Sequence, residues 1–189
     1  MLNNSLDRAL FQIASAFTEA GITWGVGGSR LLLAHKIVDS ARDLDLLVSM
    51  RSAERALRLM RELGVGEVSQ AKAPFCSRHF SQHRLSGVDV DLIAGYRIEH
   101  LQGVYEQVFD TDSISGTVAL GDLEIPLSSL EDWYVTYQLY PQKAQRAELI
   151  ESHFQKSGLA RPDLLYRALQ GVLPDEVRVR IERLLVQLT

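Results

Sequence analysis

The sequence has very little cysteine: Cys76 is the only one among 189 residues. It cannot form a disulfide within the chain, which excludes a disulfide-rich fold and is typical of a reducing compartment. Long hydrophobic runs are also missing, since the longest, residues 31–34, is far shorter than the ~20 residues that a transmembrane helix needs. Residues 1–12 show no basic segment followed by an apolar block. We therefore expect no signal peptide, no membrane association and a cytoplasmic location.

An excess of positive charge is absent as well. The chain has 20 Lys and Arg against 24 Asp and Glu, a net charge of −4 at pH 7, so it is not a strongly basic nucleic-acid binder. Hydrophobic residues make up 46% of the chain and charged residues 23%. This balance is typical of a soluble globular protein and excludes disorder throughout.

The spacing of apolar residues predicts an α/β part over residues 1–127, followed by a part with helices only over residues 128–189. In the first part the pattern predicts helices over residues 5–20, 52–63 and 98–109, with a further short helix after Gly28. It predicts strands over residues 22–26, 43–48 and 88–93, and a hairpin over residues 114–127. The fold class is therefore α+β (α/β), a small mixed sheet flanked by helices and followed by a C-terminal helical bundle.

Two Asp-x-Asp pairs lie on predicted strands, Asp43 with Asp45 and Asp89 with Asp91. Residues two apart on a strand project from the same face, so each pair presents two neighbouring carboxylates. Asp is depleted in strands, and clustered carboxylates repel one another. A divalent cation relieves this repulsion, and oxygen ligands of this kind suit Mg²⁺. A solvated face, with no ligand, is the alternative.

A glycine pair, Gly27 and Gly28, stands between a predicted strand and a short helix and is followed by Ser29. Without Cβ atoms its backbone can approach a triphosphate closely, and N–H groups at the start of a helix can bind phosphate oxygens. Ser29 can donate a hydroxyl to the same phosphates, and Arg30 or Arg42 can add positive charge. An ordinary turn is the alternative for the glycines alone.

Together these features resemble the DNA polymerase beta-like nucleotidyltransferase superfamily. Its small bacterial members are the most similar: antibiotic nucleotidyltransferases, minimal nucleotidyltransferases of toxin–antitoxin pairs and abortive-infection toxins. The resemblance rests on GVGGSRLLLAHKIVDSARDLDLLV at residues 25–48 and VDVDLI at residues 88–93, and it covers roughly the first half of the chain.

The resemblance implies a nucleotidyltransferase fold and transfer of an NMP from an NTP, ATP among them, to a hydroxyl acceptor with release of pyrophosphate. Two Mg²⁺ ions would activate the hydroxyl and neutralise the leaving group. It also implies a role for each candidate residue. The residues that would bind the phosphates are Gly27, Gly28 and Ser29, with Arg30 and Arg42 as further candidates. The metal-binding and catalytic carboxylates are Asp43, Asp45 and Asp89, with Asp91 as the competing choice for the third.

The sequence departs from the family pattern in its C-terminal part. Many small relatives carry a Lys in the first C-terminal helix that reaches the phosphates, and here Gln138 stands near that place; Lys143 is a possible substitute. Glu131 and Asp132 are candidates for a general base. The acceptor is left open among a small molecule, tRNA and a protein hydroxyl, and a homodimer is plausible. The alternative function is a non-catalytic nucleotidyltransferase-fold protein that serves as a nucleotide sensor or a toxin–antitoxin-type partner.

Overall fold

The computed structural model describes residues 4–68 and 71–189. Their helices are α1 (Ser5–Glu19), α2 (Gly28–Ala34), α3 (Ala53–Leu63), α4 (Leu130–Gln138), α5 (Ala144–Ser157), α6 (Pro162–Ala168) and α7 (Asp175–Leu188). Their strands are β1 (Trp24–Val26), β2 (Leu44–Val48), β3 (Val65–Val68), β4 (His79–Leu85), β5 (Val88–Ala94), β6 (Tyr96–His100), β7 (Gly103–Gln107), β8 (Ile114–Leu120) and β9 (Leu123–Ser128).

Seven of these strands form one mixed sheet in the order β3-β4-β5-β2-β1-β9-β8. The central strand β2 is parallel to β5 and antiparallel to β1, and β1 is parallel to β9. Strands β6 and β7 form a separate two-stranded sheet. The mixed sheet and its helices confirm the predicted fold class. No helix in the described residues is both long enough and apolar enough to cross a bilayer.

Local sequence explains where the first helix and the central strands form. Asn4 caps α1 by accepting a hydrogen bond from the backbone N–H of Asp7 at 2.8 Å, and the helix buries its apolar side, including Leu10 and Phe17. Leu44 and Leu46 on β2 are fully buried, and Asp45 between them keeps only a small exposed fraction, with its carboxylate enclosed. The central strands thus place their aspartates on the face opposite these core leucines.

The helix predicted over residues 98–109 is wrong, because these residues belong to the hairpin of β6 and β7. Ile98 and Tyr105 are buried partners across the hairpin, and residues between them alternate in exposure, as strands do. Gly103 follows the turn with a φ of 139°, a conformation that side chains rarely adopt. The other predicted elements of the α/β part are confirmed, including the hairpin of β8 and β9.

Beyond β9 the chain contains only helices, as predicted. The predicted boundary between residues 127 and 128 falls at the last residues of β9. The helical structure is interrupted after Tyr140, where Pro141 begins a short 3-10 turn, and α5 ends at Gly158. The division into a nucleotidyltransferase domain over residues 1–127 and a helical subdomain over residues 128–189 stays a prediction.

Candidate active site

Two of the aspartates lie side by side at the centre of the sheet. Asp45 on β2 is the direct partner of Asp91 on β5 in the parallel register of these strands. Adjacent strands are about 4.8 Å apart, and paired residues project from the same face. Asp43 immediately precedes β2 and, being two residues from Asp45, belongs to the same side of the strand.

The Asp45 carboxylate is buried and lies near two other negative charges. Burial raises its pKa to about 7, and the charges of Asp43 and Asp91 act in the same direction. The positive charges of Arg146 and Lys143 act in the opposite direction, with a smaller effect. No hydrogen bond from the part of the chain that the structure describes contributes to this pKa. Asp45 is therefore a buried acid with an incompletely compensated charge.

The two flanking carboxylates are each held by a neutral donor. The Ser29 hydroxyl donates to Asp43 Oδ1 at 2.9 Å, which links the start of α2 to the aspartates. Gln82 on β4 donates through Nε2 to Asp91 Oδ1 at 3.2 Å. Burial raises the pKa of Asp91 more than this hydrogen bond lowers it. Asp43, Asp45 and Asp91 are called the aspartate cluster below.

Asp89 lies outside this arrangement. Its carboxylate forms an ion pair with Arg84 Nη1 at 2.8 Å, and its side chain is 70% exposed. Its charge is the weakest of the influences on the pKa of Asp91. The sequence prefers Asp89 as the third family carboxylate, whereas the geometry brings Asp91 beside Asp45.

The glycine pair is required by packing inside the protein. A Cβ atom on Gly27 would lie 2.1 Å from the ring of Trp133, and one on Gly28 would lie 1.7 Å from Asp45 Oδ2. Gly28 also has a φ of 55°, in the left-handed region that favours glycine. Gly27 thus admits the buried indole of α4, and Gly28 lets the helix start against the Asp45 carboxylate.

The two arginines predicted for phosphate binding have different positions. The Arg30 guanidinium lies 3.8 Å from the carboxylate of Asp7 on α1, and its side chain is only 12% exposed. It therefore faces α1 and does not join the aspartate cluster. Arg42 is exposed in the segment before β2, and no ion pair within the described residues involves it.

The positive charges near Asp45 come from the C-terminal part of the chain. Lys143 ends the 3-10 turn after Pro141, and Arg146 lies in the first turn of α5. Arg146 donates to the Tyr137 hydroxyl at 3.0 Å, and its guanidinium lies 5.4 Å from that ring. Gln138, by contrast, donates to the Tyr134 carbonyl of its own helix. Sequence reasoning named Lys143 as a possible substitute and missed Arg146, which no short motif marks.

The proposed general bases have structural partners instead. Glu131 is 1% exposed and accepts a hydrogen bond from the Arg161 backbone N–H at 2.8 Å. Asp132 is 2% exposed, lies 3.6 Å from the Arg167 guanidinium, and has an Oδ2 atom without a hydrogen bond. Both residues connect α4 to the region of α6 and do not join the aspartate cluster.

Replacing Asp132 with Asn is expected to change how stability depends on pH. Burial raises the pKa of Asp132 from 3.8 to about 7, so the folded state favours the protonated acid. Its stabilising contribution is complete below about pH 4 and is lost as the pH rises through 7. The unfolding free energy of wild type should therefore fall relative to that of Asp132→Asn as the pH rises from 5 to 8, by at most about 1.4 kcal/mol per pH unit. Urea titrations at each pH measure this difference, and a gap independent of pH would contradict the assignment.

The aspartate cluster supplies the type of ligands that Mg²⁺ prefers, because all are carboxylate oxygens. Within residues 4–68 and 71–189, no three His, Cys, Asp or Glu side chains converge as a ready-made metal site. Asp43 and Asp91 are turned toward Ser29 and Gln82, while Asp45 stays buried between their charges. A cation at this position would offset the repulsion that raises the pKa of Asp45, so the residues fit a divalent metal.

Comparison with known proteins identifies the family. The sequence profile described as Aminoglycoside-2''-adenylyltransferase matches residues 9–153, well over half of the chain. The chain belongs to this family. It is therefore a nucleotidyltransferase, as the sequence resemblance implies. The match extends from α1 through most of α5 and so includes the aspartate cluster, the glycine pair, Lys143 and Arg146.

Solved structures show the same fold. A candidate nucleotidyltransferase of Thermotoga maritima has a TM-score of 0.63 and 22% identity, covering 82% of this chain and 96% of its own. ANT(2'')-Ia in complex with adenylyl-2''-tobramycin has a TM-score of 0.56 and 13% identity, covering 95% and 98%. The lincosamide antibiotic adenylyltransferase LnuA, with lincomycin bound, has a TM-score of 0.51 and 14% identity, covering 77% and 96%. No curated protein matches the chain.

Proposed function

We propose that this member of the family transfers AMP from ATP to a hydroxyl group of a small-molecule acceptor and releases pyrophosphate. The observation that carries the proposal is the buried Asp45 carboxylate, flanked by Asp43 and Asp91 and approached by the positive charges of Lys143 and Arg146. Carboxylates that bind metal and cations that bind phosphate are the two groups that nucleotidyl transfer requires.

The proposed reaction exchanges one phosphorus–oxygen bond for another. The acceptor oxygen forms a bond to the α-phosphorus, and the bond from the α-phosphorus to the oxygen that bridges to the β-phosphorus breaks. Pyrophosphate leaves with this bonding electron pair, and the hydroxyl proton passes to a carboxylate oxygen of Asp91. Two magnesium ions held by Asp43, Asp45 and Asp91, when bound, supply Lewis-acid activation of the hydroxyl and neutralise the leaving charge.

The triphosphate is assigned to the start of α2 and to the two cations of the C-terminal part. The Ser29 hydroxyl, which donates a hydrogen bond to Asp43, would donate to a phosphate oxygen if Asp43 held a metal ion instead. Gly27 and Gly28 set the position of Ser29 by allowing α2 to start directly against Asp45. Lys143 and Arg146 bind the β- and γ-phosphates. They replace the phosphate-binding Lys of many small relatives, near whose place this chain has Gln138.

A small molecule is the favoured acceptor among the possible classes. The solved structure of ANT(2'')-Ia contains adenylyl-2''-tobramycin, and that of LnuA contains lincomycin. The description of the family also names an aminoglycoside as the acceptor. We therefore infer a small hydroxyl compound in preference to tRNA or a protein. The non-catalytic alternative gains no support, because all three carboxylates of the aspartate cluster are present.

Thermal unfolding with each NTP, with and without Mg²⁺, tests the nucleotide site. ATP at 100 times its Kd should add about 2.7 kcal/mol to the stability of wild type, a shift of several degrees that requires Mg²⁺. Lys143→Met should reduce this shift because it removes a phosphate contact. Lys156→Met, at the exposed end of α5, is the matched control and should keep the full shift. The same shift in both variants would contradict the role of Lys143, and no shift with any NTP would contradict the function.

A further inference from the structure

The Tyr137 side chain on α4 holds the guanidinium of Arg146 on α5. Arg146 donates a hydrogen bond from Nη1 to the Tyr137 hydroxyl at 3.0 Å, and its guanidinium carbon lies 5.4 Å from the centroid of the same ring. The two residues are nine positions apart in sequence, and the turn that begins at Pro141 brings them together. A long side chain that is flexible in solution is thereby restricted to one region near its own helix.

The partner of Arg146 is neutral, so it holds the guanidinium without compensating its charge. Burial raises the pKa of Tyr137 to about 12, and the hydroxyl therefore stays protonated near neutral pH. In the part of the chain that the structure describes, no ion pair involves Arg146. Its charge acts on the pKa of Asp45, so the guanidinium lies near the aspartate cluster. An arginine held in this way keeps its positive charge for an anionic ligand.

A second tyrosine of α4 contacts an arginine whose charge is neutralised. Arg180 on α7 lies 5.6 Å from the centroid of the Tyr134 ring and forms an ion pair with the Glu151 carboxylate at 2.6 Å. The Tyr134 hydroxyl donates to the same carboxylate at 3.0 Å. This network joins the helices through a carboxylate, whereas the contact between Tyr137 and Arg146 has none. The two tyrosines thus hold arginines with different charge balances.

The Tyr137 ring is itself fixed against the start of α2. It is buried and packs on Trp133, one turn earlier in α4, with ring centroids 5.3 Å apart. Trp133 Nε1 donates to Ser128 Oγ at 2.8 Å, and the indole fills the space that Gly27 leaves free. These contacts are continuous from the glycine pair through Trp133 and Tyr137 to Arg146. The Tyr137 hydroxyl therefore has a defined position relative to the proposed phosphate site.

We propose that Tyr137 is a positioning residue, whose hydroxyl holds the Arg146 guanidinium in the orientation that binds the β- and γ-phosphates of ATP. The proposal rests on the proposed function and adds a residue to its triphosphate site. Ordering a flexible side chain upon binding weakens the affinity for the ligand. Tyr137 restricts Arg146 before ATP binds, so this loss is smaller in the presence of the hydroxyl.

Tyr137→Phe removes the hydroxyl, keeps the ring and tests the proposal directly. With Mg²⁺, ATP should bind this variant about threefold to tenfold more weakly than wild type, the range that corresponds to ordering one long side chain. AMP, which lacks the β- and γ-phosphates, should bind both proteins equally. Isothermal titration calorimetry measures the dissociation constants. Equal affinity of the two proteins for ATP would overturn the proposal, as would an equal loss of affinity for AMP and ATP.

Tyr134→Phe is the matched control, because it removes the same group from the same helix. Its hydroxyl also connects α4 to α5, through Glu151, but contacts no proposed phosphate-binding residue. The ATP affinity of Tyr134→Phe should stay within about twofold of wild type. If Tyr137 only stabilised the packing of α4 on α5, the two variants would behave alike. An equal loss of ATP affinity in both would therefore contradict a positioning role for Tyr137.

A double-mutant cycle with Arg146→Met shows whether Tyr137 acts through Arg146. Arg146→Met alone should weaken ATP binding at least about tenfold, because a charge-assisted contact to phosphate is lost. Adding Tyr137→Phe to this variant should cause no further loss, since no guanidinium is left to be held. A hydroxyl with a merely structural role would contribute the same factor in both backgrounds, and this result would overturn the proposal.

Pyrophosphate release, measured with tobramycin or lincomycin as the acceptor, separates this inference from the proposed function. ATP binding that depends jointly on Tyr137 and Arg146, without pyrophosphate release, would support the inference and contradict the proposed function. Release by Tyr137→Phe at the wild-type kcat/KM for ATP would support the proposed function and overturn the inference. Failure of wild type to bind ATP would overturn both.

Discussion

Asp45→Asn is expected to abolish AMP transfer and, at the same time, to stabilise the protein at pH 8 in the absence of Mg²⁺. The carboxylate is buried beside Asp43 and Asp91, and burial raises its pKa to about 7. The amide has nearly the same shape but carries no charge, so it removes both the repulsion and the cost of burying an anion. It also removes a metal ligand, and metal stabilisation of the transition state contributes several kcal/mol, so activity should fall roughly a thousandfold or more.

The pH dependence of this stabilisation has a definite sign. Because the folded-state pKa of Asp45 is raised above its usual 3.8, its contribution to stability is complete below about pH 4 and is lost as the pH rises through 7. The Asn side chain does not titrate, so its contribution to stability stays the same over this pH range. The melting temperature of Asp45→Asn should therefore move upward relative to wild type between pH 5 and pH 8. A lower melting temperature at pH 8, or activity within tenfold of wild type, would contradict the assignment of Asp45.

Asp91→Asn should be nearly inactive, whereas Asp89→Asn should keep activity within about twofold of wild type. The two residues lie on the same face of β5, so the substitutions are matched in chemistry and in strand. Asp91 is the register partner of Asp45, whereas Asp89 is exposed and pairs with Arg84. An exposed ion pair contributes at most about 1 kcal/mol to stability, so its loss should leave the fold intact. We expect a loss of at least about a hundredfold for Asp91→Asn, because a metal ligand and the proposed proton acceptor are removed together.

Steady-state rates of pyrophosphate release by the two variants decide between the carboxylates. If Asp89→Asn were inactive and Asp91→Asn active, the third carboxylate would be Asp89, as the sequence resemblance implies. The circular dichroism spectra of both variants serve as the control for folding.

The fold was largely predictable because its signals are local. The periodicity of α1 and the alternation of β2 and β5 each follow from residues that are neighbours in sequence. The helix predicted over residues 98–109 is the exception. Within this hairpin of β6 and β7, Tyr96 and Ile98, and then Tyr105 and Gln107, alternate with more exposed positions. This alternation over two five-residue strands was the available signal.

The candidate site was only partly predictable because its decisive contacts join distant segments. The sequence resemblance favours Asp89 over Asp91 as the third carboxylate, and only the register between β2 and β5 places Asp91 beside Asp45. Gly27 is explained by Trp133, which lies more than a hundred residues later in the chain. Arg146 acts on Asp45 only because the chain turns at Pro141. The spacing of residues within one segment of the sequence does not indicate these contacts between distant segments.

The central claim is that the α-phosphorus of the nucleotide is transferred, and two isotopic labels test it most directly. ATP labelled in the α-phosphate and ATP labelled in the γ-phosphate are incubated separately with the enzyme, Mg²⁺ and either tobramycin or lincomycin as the acceptor. The α-label should appear in the acceptor and the γ-label in pyrophosphate, with neither reaction in Asp45→Asn. Appearance of the γ-label in the acceptor, or the absence of α-label from both acceptors, would contradict the account.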